Sequence, residues 1–166
     1  VILSQVEERI APQYIQTIQF SGTTSQSQLP IIRLGSRLQL SFDALNGNEE
    51  DYYYSITHHN YDWTPSDLSK GEYLDGFDEV RIDDYENSLN TLQIFSHYRM
   101  TIPNRETRKI KKSGNYLLSI YNDENLLIFS RKFMVIENLV DINVEIKRSR
   151  DLNYIDQKQV VQFSIN

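Results

Sequence analysis

A chain of 166 residues with a formal net charge of −6, 39% apolar residues and no cysteine holds enough material for one globular domain, or one domain and part of another. This composition excludes global disorder, a collagen-like repeat, a disulfide framework, a thiolate metal site and a cysteine nucleophile. No apolar run exceeds four residues, whereas a helix that crosses a bilayer needs about 20, so the chain is not expected to span a membrane. Because the first residue is Val1 rather than Met, a processed N-terminus is expected.

The predicted elements follow a period of two. Leu38, Leu40 and Phe42 alternate with Arg37, Gln39, Ser41 and Asp43, the signature of a half-buried strand. A turn at Asn46-Gly47-Asn48 leads to a second strand, in which Tyr52, Tyr54, Ile56 and His58 alternate with Tyr53, Ser55, Thr57 and His59. Thr64-Pro65-Ser66-Asp67 offers a capping hydroxyl, a proline for a first helical position and a carboxylate for the amide end. A single helical turn ending at Gly71 is predicted. Glu72 to Thr91 reads as a long acidic connection. Tyr98, Met100 and Ile102 mark the next strand, followed by turns at Pro103-Asn104 and Ser113-Gly114-Asn115. Tyr116, Leu118 and Ile120 begin a hairpin that crosses a four-residue loop, Asn122 to Asn125, and returns through Phe129, Arg131, Phe133 and Val135.

Short strands at this spacing predict an all-β fold, and the Gly114-Asn115-Tyr116 sequence narrows it. A Gly turn before a Tyr that opens the penultimate strand is how immunoglobulin-like sandwiches place their tyrosine corner, with the hydroxyl bonded back to the backbone. Tyr116 and Gly114 are therefore expected to be structural. A boundary near Glu137–Val140 separates two further strands, Ile142–Lys147 and Val160–Ile165. The expected organisation is an immunoglobulin-like antiparallel β-sandwich over residues 1–138, then a linker and the first strands of an incomplete second β domain over 139–166.

Charge is uneven. Asp43 to Glu86 holds 13 acids and two bases, a net of −11; His97 to Arg150 holds 11 bases and six acids, a net of +5. The acidic overall balance argues against a nucleic-acid partner. The acidic half reads either as a solvated face or as a surface that steers a basic partner.

Catalytic motifs are missing. There is no nucleophile elbow, phosphate-binding glycine loop or two-histidine zinc helix. His58 and His59 are neighbours on a predicted strand, so their side chains leave opposite faces and suit one metal poorly. Asp75-Gly76-Phe77-Asp78 and Asn46 to Asp51 supply oxygen ligands without calcium-loop spacing. A glycosidase would need one pair of carboxylates at a set separation, which acid-rich sequence alone does not define. No catalytic residue, cofactor, metal or small-molecule substrate is expected. Trp63 could serve as a stacking platform for sugars or as core packing.

One stretch is recognisable. His58-His59-Asn60-Tyr61-Asp62-Trp63-Thr64-Pro65-Ser66-Asp67-Leu68 is followed by Glu72-Tyr73-Leu74-Asp75-Gly76-Phe77, Asp84-Tyr85 and Ser88-Leu89-Asn90-Thr91. Next come His97-Tyr98, Ile102-Pro103-Asn104 and Ser113-Gly114-Asn115-Tyr116-Leu117-Leu118. Taken together in this order, they resemble the N-terminal part of the plug protein of the Bacteroidetes type IX secretion system. His59 departs from the pattern, since many relatives are expected to carry cysteine there. The resemblance implies sandwich-like domains, export to the periplasm behind a signal peptide already removed, and association with the outer membrane. It implies that the partner is the giant outer-membrane translocon β-barrel, whose periplasmic opening the plug closes. It brings no catalytic residues. Trp63, Tyr73, Asp75, Phe77 and Tyr85, presented by the acidic connection, are the expected partner contacts. The alternative is a carbohydrate-binding β-sandwich module of a surface glycan system.

Overall fold

The computed structural model describes residues 5–21, 30–47 and 50–165. Val1, and Asn48 in the predicted Asn46-Gly47-Asn48 turn, lie outside the described residues. The chain divides into two compact units, Val1–Ile136 and Glu137–Asn166.

The first unit is built from β1 (Ile15–Ser21), β2 (Ile31–Arg33), β3 (Leu38–Ala44), β4 (Tyr52–His59), a helical turn α1 (Lys70–Tyr73), β5 (Leu74–Gly76), β6 (Val80–Arg81), β7 (Asp84–Asn87), β8 (Ser96–Ile102), β9 (Thr107–Ile110), β10 (Gly114–Asn122) and β11 (Leu127–Ile136). One sheet runs β1-β3-β8-β7 and the other β2-β11-β10-β4-β6, while β5 and β9 form a separate ribbon. In immunoglobulin terms, the first sheet is A-B-E-D and β4-β10-β11 is C-F-G. The protein is an all-β sandwich. Its pairing is antiparallel except at β2, which runs parallel to β11 through Met134↔Ile31 to Ile136↔Arg33.

The register explains why the faces close. β3 and β8 pair from Leu38↔Ile102 to Ala44↔Ser96, which puts Leu38, Leu40, Phe42, Tyr98, Met100 and Ile102 on one inward face. Across the core, Tyr54, Ile56, Tyr116, Leu118, Ile120, Phe129 and Phe133 point back at them. Phe42 is the hub: its ring stacks on Tyr98 at 5.2 Å and meets Tyr52 and Phe129 edge-on at 5.3 and 5.2 Å. Such geometries suit the ring quadrupoles. The buried hydroxyls are partnered: Tyr52 donates to Glu50 Oε2 at 2.8 Å, and Tyr98 donates to the Glu50 carbonyl at 2.8 Å.

The Tyr116 hydroxyl donates to the Lys112 carbonyl, four residues upstream, at 2.8 Å. Gly114 makes the preceding turn with φ at +146°, and a Cβ there would stand 2.4 Å from His58 Nε2. A residue with a Cβ would be strained in that backbone and would have to displace the His58 ring.

The outer face of the second sheet is partly covered. Ser55, Ser119 and Ser130 form a row across β4, β10 and β11. Short side chains there let an N-terminal segment approach: Arg9 N donates to Ser130 Oγ at 2.7 Å, Lys132 N donates to Glu8 Oε1 at 2.6 Å, and Val6 N donates to the Trp63 carbonyl at 3.0 Å. At the other end of the row Ser55 Oγ donates to Asp78 at 3.0 Å.

The helical turn forms later than predicted. Pro65 is in an extended bridge with His59, so the stretch from Thr64 does not coil. Instead Ser69 caps α1: its N–H and Oγ both donate to Glu72 Oε2, at 2.8 and 2.7 Å. Gly71 lies within the turn rather than ending it.

The second unit is a hairpin, β12 (Ile142–Arg148) with β13 (Gln159–Ile165), paired from Ile142↔Ile165 to Arg148↔Gln159. Ile142, Val144, Ile146, Val161, Phe163 and Ile165 share one face, and all are exposed.

Candidate interaction surface

The five expected contact residues sit on separate elements. Trp63 closes a turn that leaves β4. Trp63 N donates to the Asn60 carbonyl at 3.0 Å, and Thr64 N and Oγ1 donate to Asp62 Oδ1 at 3.1 and 2.7 Å. These bonds hold the Asp62 carboxyl below its usual range. Trp63 itself takes φ of +65°, an unusual backbone for a bulky residue. Its ring is half-buried, with Lys132 Nζ above it at 4.5 Å and the His59 ring 6.3 Å away. That lysine stands where a sugar would stack, so Trp63 makes a poor open platform.

Tyr73 is a core residue. It is 5% exposed, its hydroxyl donates to the Ile56 carbonyl at 3.2 Å, and its ring meets Tyr116 at 6.0 Å. The cap on α1 is the reason: coiling begins after Ser69, and this turns Tyr73 inward beneath the connection. Tyr85 lies on β7 opposite Tyr98, stacks on that ring at 5.4 Å and is half-buried. Asp75 lies on β5 and pairs with Arg108 at 3.1 Å. Phe77, just beyond β5, is 72% exposed, with its N–H donating to the Glu106 carbonyl at 2.9 Å. The structure thus leaves Phe77 and Asp75 outward, places Tyr73 inside, and spreads the set over both sheets and the β5–β9 ribbon.

The acidic half of the chain is largely paired. Asp43 bonds His97 at 2.5 Å, Asp51 bonds Arg81 at 2.9 Å, and Arg99 reaches Glu86 at 2.5 Å and Asp84 at 3.4 Å. Asp78 is buried, its side chain 3% exposed, and accepts from Lys70 Nζ at 2.6 Å, Ser55 Oγ at 3.0 Å and Ile56 N at 2.8 Å. Much of the −11 read from this stretch is internal scaffolding, with exposed pairs each worth about 0–1 kcal/mol.

Two histidines carry a pH consequence. His59 is buried, with Nδ1 lacking a hydrogen-bond partner, and burial pushes its pKa below the ordinary value. His58, between Ser66, Tyr73 and Tyr116, is lowered for the same main reason. An unfolded histidine takes its proton near pH 6.5, whereas the folded protein resists protonation. The unfolded state therefore binds more protons below that pH, and stability falls as pH drops through about 6.5 toward the folded pKa. Thermal melts between pH 8 and 5.5 should show a falling midpoint. The His59→Cys variant should show a shallower fall over the same interval, and an unchanged slope would contradict this origin.

One outward group escaped the strand-pattern reading. The β7–β8 loop, residues 88–95, exposes Leu89 at 84%, Leu92 at 111% and Ile94 at 57%. Loops between predicted strands read as polar connections, and three isolated aliphatics with no period give no pattern to detect. Among the described residues, no group of three His, Cys, Asp or Glu could hold a metal ion, and no helix is long and apolar enough to cross a membrane.

This arrangement defines the class: an immunoglobulin-like β-sandwich whose outward features are a rigid aromatic turn, an acidic edge and an apolar loop. The chain belongs to the family described as "Type 9 secretion system plug protein 1st domain", whose profile matches residues 15–137. A solved structure of a hypothetical protein from Parabacteroides merdae is 33% identical with a TM-score of 0.78, covering 98% of this chain and 42% of its own. The chain thus spans less than half the length of that relative. A DNA-bound alkylpurine DNA glycosylase from Pseudomonas fluorescens, at 13% identity and a TM-score of 0.41 over 73% of this chain and 29% of its own, is too dissimilar to inform function. No curated protein matches.

Proposed function

We propose that this protein is a non-enzymatic component of type IX secretion that works in the periplasm at the outer membrane of a Bacteroidetes cell. It binds the outer-membrane translocon barrel and closes its periplasmic opening. The family match over residues 15–137 carries this reading. The sandwich supports it by offering a packed, rigid body whose exposed elements are rims and loops. Trp63, Asp75 and Phe77 remain the contacts proposed from the original set, with Tyr85 contributing at the edge of β7. Tyr116 and Gly114 hold the fold.

Residues 139–166 are proposed as the opening strands of a second β domain. The apolar face of the β12–β13 hairpin supports this, because two strands bury too little to stand alone. The much longer related chain is consistent with further β structure to cover that face.

The test is affinity purification of the tagged full-length protein from gently solubilised outer membranes of its native host. Recovery of a large secretion barrel, identified by mass spectrometry, is the expected result. If no such barrel is recovered while other envelope complexes survive, the reading fails.

A further inference from the structure

We infer that the β7–β8 loop is a preformed docking knuckle for an apolar cleft with a basic rim on a partner protein. The inference rests on the function proposed above and names the element that reaches the barrel.

The loop inverts the usual polarity of a surface connection. Its polar groups are used internally. Ser88 N donates to the Phe95 carbonyl at 2.8 Å, Phe95 N donates to Ser88 Oγ at 2.8 Å, and Thr91 Oγ1 donates to the Gln93 carbonyl at 2.7 Å. Gln93 Nε2 reaches back to the Leu45 carbonyl at 3.1 Å and ties the loop to the end of β3. Asn90 takes the left-handed turn, with φ of +56°. Leu89, Leu92 and Ile94 are left facing outward, and Leu92 is as exposed as a side chain can be. Isolated exposed aliphatics are ordinary; three on a pinned eight-residue loop form a projecting apolar tip. Because the backbone is already fixed, docking would cost little ordering entropy.

Charge selects the occupant. From Asn87 to Ser96 there is no charged residue, although 24% of the chain is charged. The strand that leads into the loop carries Asp84 and Glu86, with Asp83 just before it; Arg99 on β8 is engaged with Glu86 and Asp84, and Arg81 lies 3.5 Å from Asp83, so two bases meet three acids and the collar keeps a net negative charge. An anionic lipid surface would repel this acidic collar, and no lysine or arginine from 82 to 98 could anchor the tip to phosphates. A protein cleft, apolar within and basic at its rim, meets both features.

The test compares the intact protein with a Leu89→Ser/Leu92→Ser variant. Both side chains are exposed, so the variant should melt at the same temperature, which serves as the folding control. The two are used to capture the barrel from solubilised outer membranes, and each is spun with vesicles of phosphatidylethanolamine and phosphatidylglycerol. Capture of the barrel by the intact protein, reduced about tenfold or more in the variant, with no vesicle binding by either, is the expected result. Equal capture by both overturns the knuckle and leaves the proposed function standing. Vesicle binding by the intact protein that the variant loses overturns it in favour of a lipid contact. Absence of capture by the intact protein sinks the proposed function and the knuckle with it. Should the double variant melt lower, Leu92→Ala is read on the same scale, with undiminished capture counting against the knuckle.

Discussion

Phe42→Ala should lower stability by about 3–5 kcal/mol, at the upper end of single-residue core truncations. The ring touches Tyr98 face to face and Tyr52 and Phe129 by their edges, all within 5.3 Å between centroids. It joins the two sheets at the middle of the sandwich, and the three flanking rings are themselves fully buried. Tyr52 and Tyr98 cannot collapse freely into the space left, because their hydroxyls are tethered to Glu50 at 2.8 Å each. A cavity would persist, and cavities add to the lost transfer energy. Denaturant titration of wild type and variant checks this, with a change below about 1.5 kcal/mol ruling out Phe42 as the hub.

Gly76→Ala should be comparably severe through a different mechanism. Gly76 ends β5 with φ of +102°, and a Cβ there would lie 2.0 Å from the Glu106 carbonyl oxygen. The obstruction is backbone, so no rotamer change relieves it. The strained φ alone costs about 1–3 kcal/mol for a residue with a side chain, and the overlap should bring the total to about 3 kcal/mol or more. The neighbourhood amplifies the effect. Phe77 N bonds Glu106, Thr107 Oγ1 donates to the Phe77 carbonyl, and the Tyr54 hydroxyl lies 2.7 Å from Thr107 Oγ1 while accepting from Asn104 at 2.8 Å. Moving β5 away from β9 would break the bonds of Phe77 N to the Glu106 carbonyl and of Thr107 Oγ1 to the Phe77 carbonyl. A melting temperature within about 2 °C of wild type would contradict the close approach.

Strands with an inward set at a period of two are legible in the sequence. β3 and β8 bury alternate residues throughout, so their burial pattern is written directly in residue spacing, whereas β4, β10 and β11 keep an inward set at that period but also bury Ser55, Ser119 and Ser130 on the partly covered outer face. β1 was not legible because its register shifts between Gln16 and Gln19, with Thr17 at φ of +52°. The bulge spaces Ile15, Ile18 and Phe20 by three and then two, which breaks the period that would mark a strand. β2 has three residues and β6 two, too short for any periodicity. β7 is an edge strand whose Asp84 and Glu86 protect it from pairing with other chains, so charge disguised it as loop.

The surface was less legible than the fold. Aromatic content drew attention to Tyr73, yet a capping box at Ser69 decides that its ring turns inward, and that box lies five residues beyond the predicted cap at Thr64. The acidic surplus drew attention to the same connection, but Asp78 serves the interior and Asp51, Asp75, Asp84 and Glu86 meet basic partners. Pairing depends on residues such as Arg99 and Arg108, which are remote in sequence from the acids they neutralise. Conversely, the apolar tip at Leu89, Leu92 and Ile94 becomes visible only once the sandwich shows that nothing within its own unit covers it among the described residues.

Closing a translocon is a permeability statement, and permeability tests it most directly. In the native host, uptake of a large hydrophilic dye or antibiotic that intact outer membrane excludes would be measured with and without this protein, each in the presence and absence of the secretion barrel. The account predicts that loss of the protein raises uptake sharply, and that removing the barrel as well restores exclusion. Unchanged uptake on loss of the protein, with the barrel still assembled in the membrane, would contradict it.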